Sequence, residues 1–416
     1  MTERSRLRIL SAGLIGNVME WYDFAVYGFF ASTIGTLFFP TGNAATSLIA
    51  SFGAFAAGFL MRPVGAILFG HIGDLVGRKK VLTLSVMMMA IPTFLVGVLP
   101  TYDDIGIAAP ILIVLLRMLQ GVSVGGEYTG SFVFLTERAP KGKRGLYSSW
   151  SITGAMGGIL LGSAVGALVT NLMTESALTS WGWRLPFLAG ILVAGTGWII
   201  RRGIHEDTPQ PKEKASPLAE AVRGNLRELL QSFGINIANA VGFYILFIYV
   251  STWLIREDKM SRASALDINT ISMTVTLIVL PVAAILSDRF GRKPFLLIGT
   301  GGMALFGYPF IRLMHHTDPF LTQIGQIGLA LFLGIFVAVI PVTLSELFPR
   351  NIRVSATSLS YNLPLAIFGG TAPMVATWLI TETGDAMALS WYLVAAALIG
   401  FFVSLTIKET HRTDLE

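Results

Sequence analysis

The feature that most constrains this chain is a succession of long apolar runs, broken by charges and Pro/Gly clusters, at approximately 8–36, 47–71, 80–99, 107–137, 145–171, 184–201, 228–254, 266–286, 295–313, 321–346, 353–380 and 387–407. About 20 apolar residues in a helix cross the roughly 30 Å hydrocarbon core of a bilayer, so twelve runs predict twelve transmembrane helices. A β-barrel would show short segments of alternating polarity, and these unbroken runs exclude it. Composition agrees: the 416 residues are 53% hydrophobic and 13% charged, where a soluble domain carries about 25% charged residues. The expected fold class is an all-α membrane protein.

Orientation follows from Lys and Arg, which are retained in cytoplasmic loops. With both termini inside, 23 of the 30 Lys and Arg fall on cytoplasmic segments. Arg184, Arg256, Lys259, Arg262 and Arg312 fall on or near the outer side, and Arg62 and Arg117 lie inside apolar runs. The net charge of +5 thus faces an anionic lipid leaflet and implies no nucleic-acid partner. The absence of cysteine excludes disulfides, thiolate chemistry and cysteine-ligated metals. The first run carries acids and has no small-residue exit, so it does not read as a cleavable signal. A bacterial inner-membrane location is expected.

The longest charged connection, with Pro209, Pro211 and Pro217, divides six runs from six. The expected organisation is a first six-helix bundle over 1–201, a cytoplasmic linker over 202–227 and a second bundle over 228–416. Leu218 to Leu230 reads either as a surface-lying helix or as solvated linker. An internal repeat supports the division. Asp74, Gly77, Arg78 and Lys79 match Asp288, Gly291, Arg292 and Lys293, while Glu137, Pro140 and Arg144 match Glu346, Pro349 and Arg353.

The loop GHIGDLVGRKK from Gly70 to Lys80, with its counterpart SDRFGRKP from Ser287 to Pro294, resembles the signature loop of the major facilitator superfamily. Three further segments, GNVMEWYDFAVYGFFA from Gly16, FLMRPVGA from Phe59 and RMLQGVSVGGEYTG from Arg117, resemble the metabolite:proton symporter family within it. That family imports citrate, 2-oxoglutarate, shikimate, and proline or betaine. The resemblance implies two rocking bundles around a central site, no enzyme activity, no cofactor and a monomer. It also implies a cytoplasmic latch formed by Asp74, Gly77, Arg78, Asp288, Arg292, Glu137 and Glu346. The physical reading of that latch is ion pairing at helix ends, made in one conformation and broken in another.

Charges inside a bilayer cost about 2.5 to 3.5 kcal/mol each on insertion scales, so those present are candidates for function. Glu20 and Asp23 share a face of the first helix, with Tyr27 one turn on; Glu127, Arg117 and Gln120 lie on the fourth helix and Arg62 on the second. A guanidinium remains charged and grips a carboxylate through two hydrogen bonds, which makes Arg117 the leading substrate ligand and Arg62 the next. Glu20, Asp23 and Glu127 are the proton-coupling candidates. Gln120, Tyr27, Tyr128, Asn236, Asn239, Tyr244 and Tyr361 complete the candidate substrate set, with Asn362 beside Tyr361. Two alternatives stay open: the arginines neutralise the acids within a packed half, and the asparagines serve helix packing.

Gly154, Gly158, Gly162 and Gly166 on the fifth helix read as a packing face. Pro364, Gly369, Gly370 and Pro373 are expected to kink the eleventh helix. His71 adjoins the loop, His315 and His316 could form a metal pair but no metal site is assigned, and Trp181 and Trp183 read as interfacial anchors. The leading expectation is proton-coupled import of a di- or tricarboxylate. The alternative is proline or betaine uptake, set second because some osmosensing members carry a long C-terminal coiled coil, whereas this chain ends at Glu416, shortly after its last run. Efflux by antiport is the alternative from another class; efflux relatives usually show a Pro within the fifth-helix glycine repeat, and this chain lacks it there. A membrane enzyme would need a catalytic constellation, and no His-Glu-x-x-His or phosphate loop is visible. The implied partners are a small organic anion or zwitterion, protons and the lipid bilayer.

Overall fold

The computed structural model describes residues 17–68, 78–125, 127–191, 195, 224–413 and 415, and no strand occurs among them. The helices follow the apolar runs in order: α1 (17–38), α2 (Ala44–Leu68), α3 (Arg78–Val98), α4 (Ala108–Glu137), α5 (Arg144–Leu172), α6 (described over 185–191), α7 (Leu226–Glu257), α8 (Arg262–Phe290), α9 (Lys293–Met314), α10 (Pro319–Leu347), α11 (Arg353–Thr383) and α12 (Ala388–Thr406). Among the described residues, nine of these are long and apolar enough to cross a bilayer: α2, α4, α5 and α7 to α12. Asp74 and Gly77 lie outside the described residues, as do His71, most of the expected linker and the side chains of Arg78 and Glu127.

Starts are set by ordinary capping chemistry. Asn43 accepts from the backbone of Ala45 and Thr46 ahead of α2, Ser261 from Ser264 ahead of α8, and Asp318 from Phe320 ahead of Pro319 in α10. Close crossings are set by glycine. A Cβ on Gly121 of α4 would collide with the carbonyl oxygen of Gly58 on α2, and one on Gly158 of α5 with that of Val18 on α1. The glycine face of α5 is therefore a packing face, as its four-residue spacing predicts.

In the first half α1 packs on α2, α2 and α3 on α4, and α4 on α5; in the second, α7 packs on α11 and α12, α9 on α10 and α12, and α8 on α10. The halves meet through α5 against α8 and α2 against α11. Adding six converts α2 to α8 and α5 to α11, so these two contacts are one contact made twice, as a duplicated bundle requires. Burial ranks the helices by position: 89% of the most apolar stretch of α7 is inside the protein, against 33% for α9. The central helix α7 carries Asn236, Asn239 and Tyr244.

Among the described residues, two helices leave the regular α register. Ile245–Tyr249 in α7 and Leu365–Gly369 in α11 are wide turns closed i to i+5. The second falls between Pro364 and Gly370, where a kink was expected. One reading needs correction: Trp183 is fully buried against Phe38 and Phe187, so only Trp181, 52% exposed, sits where an interfacial anchor would.

Candidate functional site

Of the expected intramembrane charges, Glu20, Asp23, Arg62 and Arg117 are all buried, on α1, α2 and α4. Asp23 and Arg117 form an ion pair, Oδ2 to Nη1 at 2.9 Å, with both side chains essentially inaccessible. The same Nη1 donates to Gln120 Oε1 at 2.7 Å, and Gln120 Nε2 donates to Thr93 Oγ1 on α3 at 3.0 Å. Rings of Phe24, Tyr27 and Phe55 flank the Arg117 guanidinium, whose centre is 4.6, 4.5 and 5.8 Å from them. Tyr27 donates its hydroxyl proton to the Ser51 carbonyl at 3.1 Å. Arg117, Gln120, Asp23 and Tyr27 thus make one structural unit. The leading substrate ligand of the sequence reading shares one nitrogen, Nη1, with a carboxylate of its own chain, while its Nε and Nη2 are buried without hydrogen-bond partners.

Arg62 is placed differently. It is completely buried, yet Nε, Nη1 and Nη2 have no hydrogen-bond partner. Its guanidinium lies over the rings of Phe59, Phe24 and Trp21 at 4.2, 4.8 and 5.2 Å. Such contacts hold a cation but satisfy none of its N–H groups. Around it, rings from both halves interlock. Trp21 lies 5.6 Å from Tyr128, 5.8 Å from Phe243 and 6.4 Å from Tyr244, while Tyr244 lies 5.1 Å from Phe59 and Tyr361 lies 5.3 Å from Tyr128. The indole N–H of Trp21 and the hydroxyl of Tyr244 are likewise buried without partners. Buried polar groups are nearly always satisfied, so a cluster of unsatisfied donors around one guanidinium makes this place the candidate ligand site.

Glu20, 5% exposed, is buried on α1 one turn from Asp23. Glu127 begins the second part of α4. Asn236 donates to the carbonyls of Ser232 and Ser360, and Asn239 donates to Asn236 Oδ1, so this pair links α7 to α11. Asn362 donates to the Gly125 carbonyl of the opposite half. For Asn236 and Asn362 these bonds are the packing role that the sequence left open. Sequence reasoning missed Thr93 and Asn17, which ties α1 to α4 and α5 through Ser131 and the Ser151 carbonyl. Asn17 adjoins the Glu20 face, which was the available signal.

At one end of the bundle lie the described members of the expected latch, Glu137, Asp288, Arg292 and Glu346, of which Glu137, Asp288 and Glu346 make contacts between the halves. Asp288 accepts from the backbone of Gly145 and Leu146 at 2.8 and 3.0 Å, capping α5 from the other half. Arg292 donates to Asp288 at 2.8 Å and to both oxygens of Glu346 at 3.2 Å. Arg353 pairs with Glu137 at 2.6 Å and Arg144 with Glu346 at 3.6 Å. These last are the repeat-matched residues, each arginine reaching the other half's glutamate. Glu409 caps α9 by accepting from Arg292 and Lys293, and Thr410 donates to Glu346. Among the described residues no cluster of three or more potential metal ligands occurs. His315 pairs with Asp258, and His316 accepts from the Asp318 backbone.

Repeat-related halves meeting at a buried polar and aromatic centre, with ion pairs between them at one end, define a multi-pass transporter of the major facilitator fold. The chain belongs to the family described as sugar (and other) transporter, matched over residues 10–210 and 200–416. It is 38% identical to the glycine betaine/proline/ectoine/pipecolic acid transporter OusA of Dickeya dadantii (strain 3937), over 99% of this chain and 85% of that one. It is 35% identical to the proline/betaine transporter of Escherichia coli (strain K12), over 98% and 85%. A crystal structure of a D-xylose-proton symporter superposes with a TM-score of 0.78 at 19% identity, covering 97% of this chain and 98% of that one, which is a likeness of fold. The family is one of transporters, not of enzymes, as the motifs implied.

Proposed function

We propose that this chain is a proton-coupled symporter of the bacterial inner membrane that imports a small zwitterionic solute of the proline and betaine class. It does so by rocking of two bundles, 1–201 and 228–416, built from twelve spans with both termini cytoplasmic. This reverses the order of the two sequence-based readings: the relatives named above carry proline and betaine in their names, and carboxylates move to second place. The cytoplasmic latch, with Asp74, Gly77, Arg78 and Glu137 as its first-half members, holds the inner side closed.

The observation that carries the reading is Arg62, a buried guanidinium with three unsatisfied nitrogens set among aromatic rings. It offers a bidentate grip to one carboxylate. The faces of Tyr128, Phe243, Tyr244 and Tyr361 beside it suit an ammonium group, which ring quadrupoles attract. A di- or tricarboxylate would bring further negative charges to a site whose second guanidinium, that of Arg117, already serves Asp23. One carboxylate and one ammonium match the inventory. Glu20, Asp23 and Glu127 remain the proton-coupling set, and the protein works as a monomer.

The test is uptake of labelled glycine betaine, proline, citrate and 2-oxoglutarate into proteoliposomes under an inward proton gradient. Betaine or proline is expected to accumulate and to be lost with uncoupler. Arg62→Lys keeps the charge but removes the fork, and is expected to raise the half-saturation concentration about tenfold or more. Accumulation of citrate without betaine or proline would overturn the reading.

A further inference from the structure

The wide turn of α7 has no cause within its own sequence. Residues Ile245 to Tyr249 contain neither Pro nor Gly, whereas the matching turn of α11 lies between Pro364 and Gly370. Its consequence is geometric. At 3.6 residues per turn, Tyr244 and Tyr249 would point about 140° apart; closing the turn i to i+5 makes them near neighbours on one face. Both then meet α2, Tyr244 at 6.0 Å from Phe55 and Tyr249 at 5.8 Å from Phe52. Phe52 and Phe55 are themselves three residues apart, on one helical face.

The turn is held by other helices. Asn269 of α8 donates to the Phe247 carbonyl at 3.0 Å. Gln326 of α10 donates to the Leu246 carbonyl at 3.2 Å and to Asn269 Oδ1 at 2.8 Å. Both side chains are completely buried. In a low-dielectric interior such bonds to backbone carbonyls are costly to leave unmade. The geometry points to Asn269 and Gln326 as positioning residues that clamp α7 in its wide-turn register, so that Tyr244 and Tyr249 both face the first half and the Arg62 site keeps its affinity. They act through the α7 backbone, without entering the ring cluster.

The protein contains no cysteine, so register can be read directly in the full-length chain. Phe52→Cys is paired with Tyr249→Cys or with Ile248→Cys, and each pair is treated with a short bifunctional thiol reagent. In the native background the 249 pair is expected to cross-link in preference to the 248 pair. In Gln326→Met or Asn269→Leu, which keep volume but remove the donor, the preference is expected to move to 248, because a regular helix places residue 248 one turn from 244. In parallel, each donor variant without added cysteines is expected to raise the half-saturation for uptake about tenfold while maximal rate changes about threefold or less. The uptake arm rests on the proposed function; the cross-linking arm needs no substrate and stands if that function fails. Folded variants that keep the 249 preference would overturn the clamp. If Asn269→Leu does not fold, Asn269→Ser, with a shorter donor, carries the same comparison.

Discussion

At the scale of the residue, the two membrane arginines separate by what surrounds them. Arg117 and Asp23 are both buried and joined at 2.9 Å, so removing one leaves the other charged and unpaired. Breaking a buried pair costs about 3 to 5 kcal/mol, whereas replacing both members by neutral groups of similar volume is often nearly neutral. Arg117→Met is therefore expected to destabilise the protein by about that amount, and the double variant Arg117→Met with Asp23→Leu to recover most of the loss. Thermal unfolding of the purified variants measures both. Equal destabilisation of single and double variants would mean that the pair is not the structural unit described here. Arg62→Met is expected to be severe for uptake, because it keeps the ring contacts of an apolar side chain but removes every N–H that a carboxylate could use. The sequence singled out both arginines as charges inside apolar runs, and both are completely buried. Which of them was engaged was not legible, since that depends on how α1 and α4 are rotated toward each other.

At the scale of the element, the segment after α12 is tied to the start of α9. Burial alone would raise the Glu409 carboxyl, but the backbone N–H groups of Arg292, Lys293, His411 and Thr410 outweigh it and hold its pKa below the ordinary 4.5. A carboxyl with a depressed folded pKa contributes stability above its unfolded pKa and loses it as pH falls through the folded value. The tail is thus expected to stay seated at neutral pH and to detach only below about 4.5, with Glu409→Gln weakening it at all pH values and flattening the acid transition. Hydrogen-exchange protection of the Arg292 and Lys293 amides, corrected for intrinsic rates and measured in a His411→Gln background, reads this. An acid transition unchanged by Glu409→Gln would count against the cap. Helix order and most helix ends were legible, because a run such as 107–137 needs only length and hydropathy to be seen, and α4 spans Ala108–Glu137. The wide turn of α7 was not, since an all-apolar stretch carries no periodic marker and its cause lies on α8 and α10. Single amides such as Asn269 and Gln326 in otherwise apolar helices were the signal available.

At the scale of the whole molecule, the repeat turns one ion pair between the halves into two, which is what the proposed latch would use. Glu137 matches Glu346 and Arg144 matches Arg353, and the structure joins them crosswise between the halves. Such a contact is useful to an alternating machine only if it is strong enough to bias one state and weak enough to break; each tenfold change in population corresponds to about 1.4 kcal/mol. Glu137→Arg sets like charges face to face at one pair and leaves the other intact. We expect it to shift the equilibrium about tenfold or more toward the state open at the latch end. Ser149 lies one helical turn beyond Gly145, the residue whose backbone Asp288 caps, and is 1% exposed. Maleimide labelling of Ser149→Cys should accordingly quicken in the Glu137→Arg background, while uptake slows. Adding Arg353→Glu restores the pair with its polarity exchanged, and labelling and uptake should return toward their starting values. A charge-reversed double variant that labels as fast as the single one would show that Glu137 and Arg353 merely share a surface, with the closed state held by the Asp288 cap and the Glu346 cluster alone.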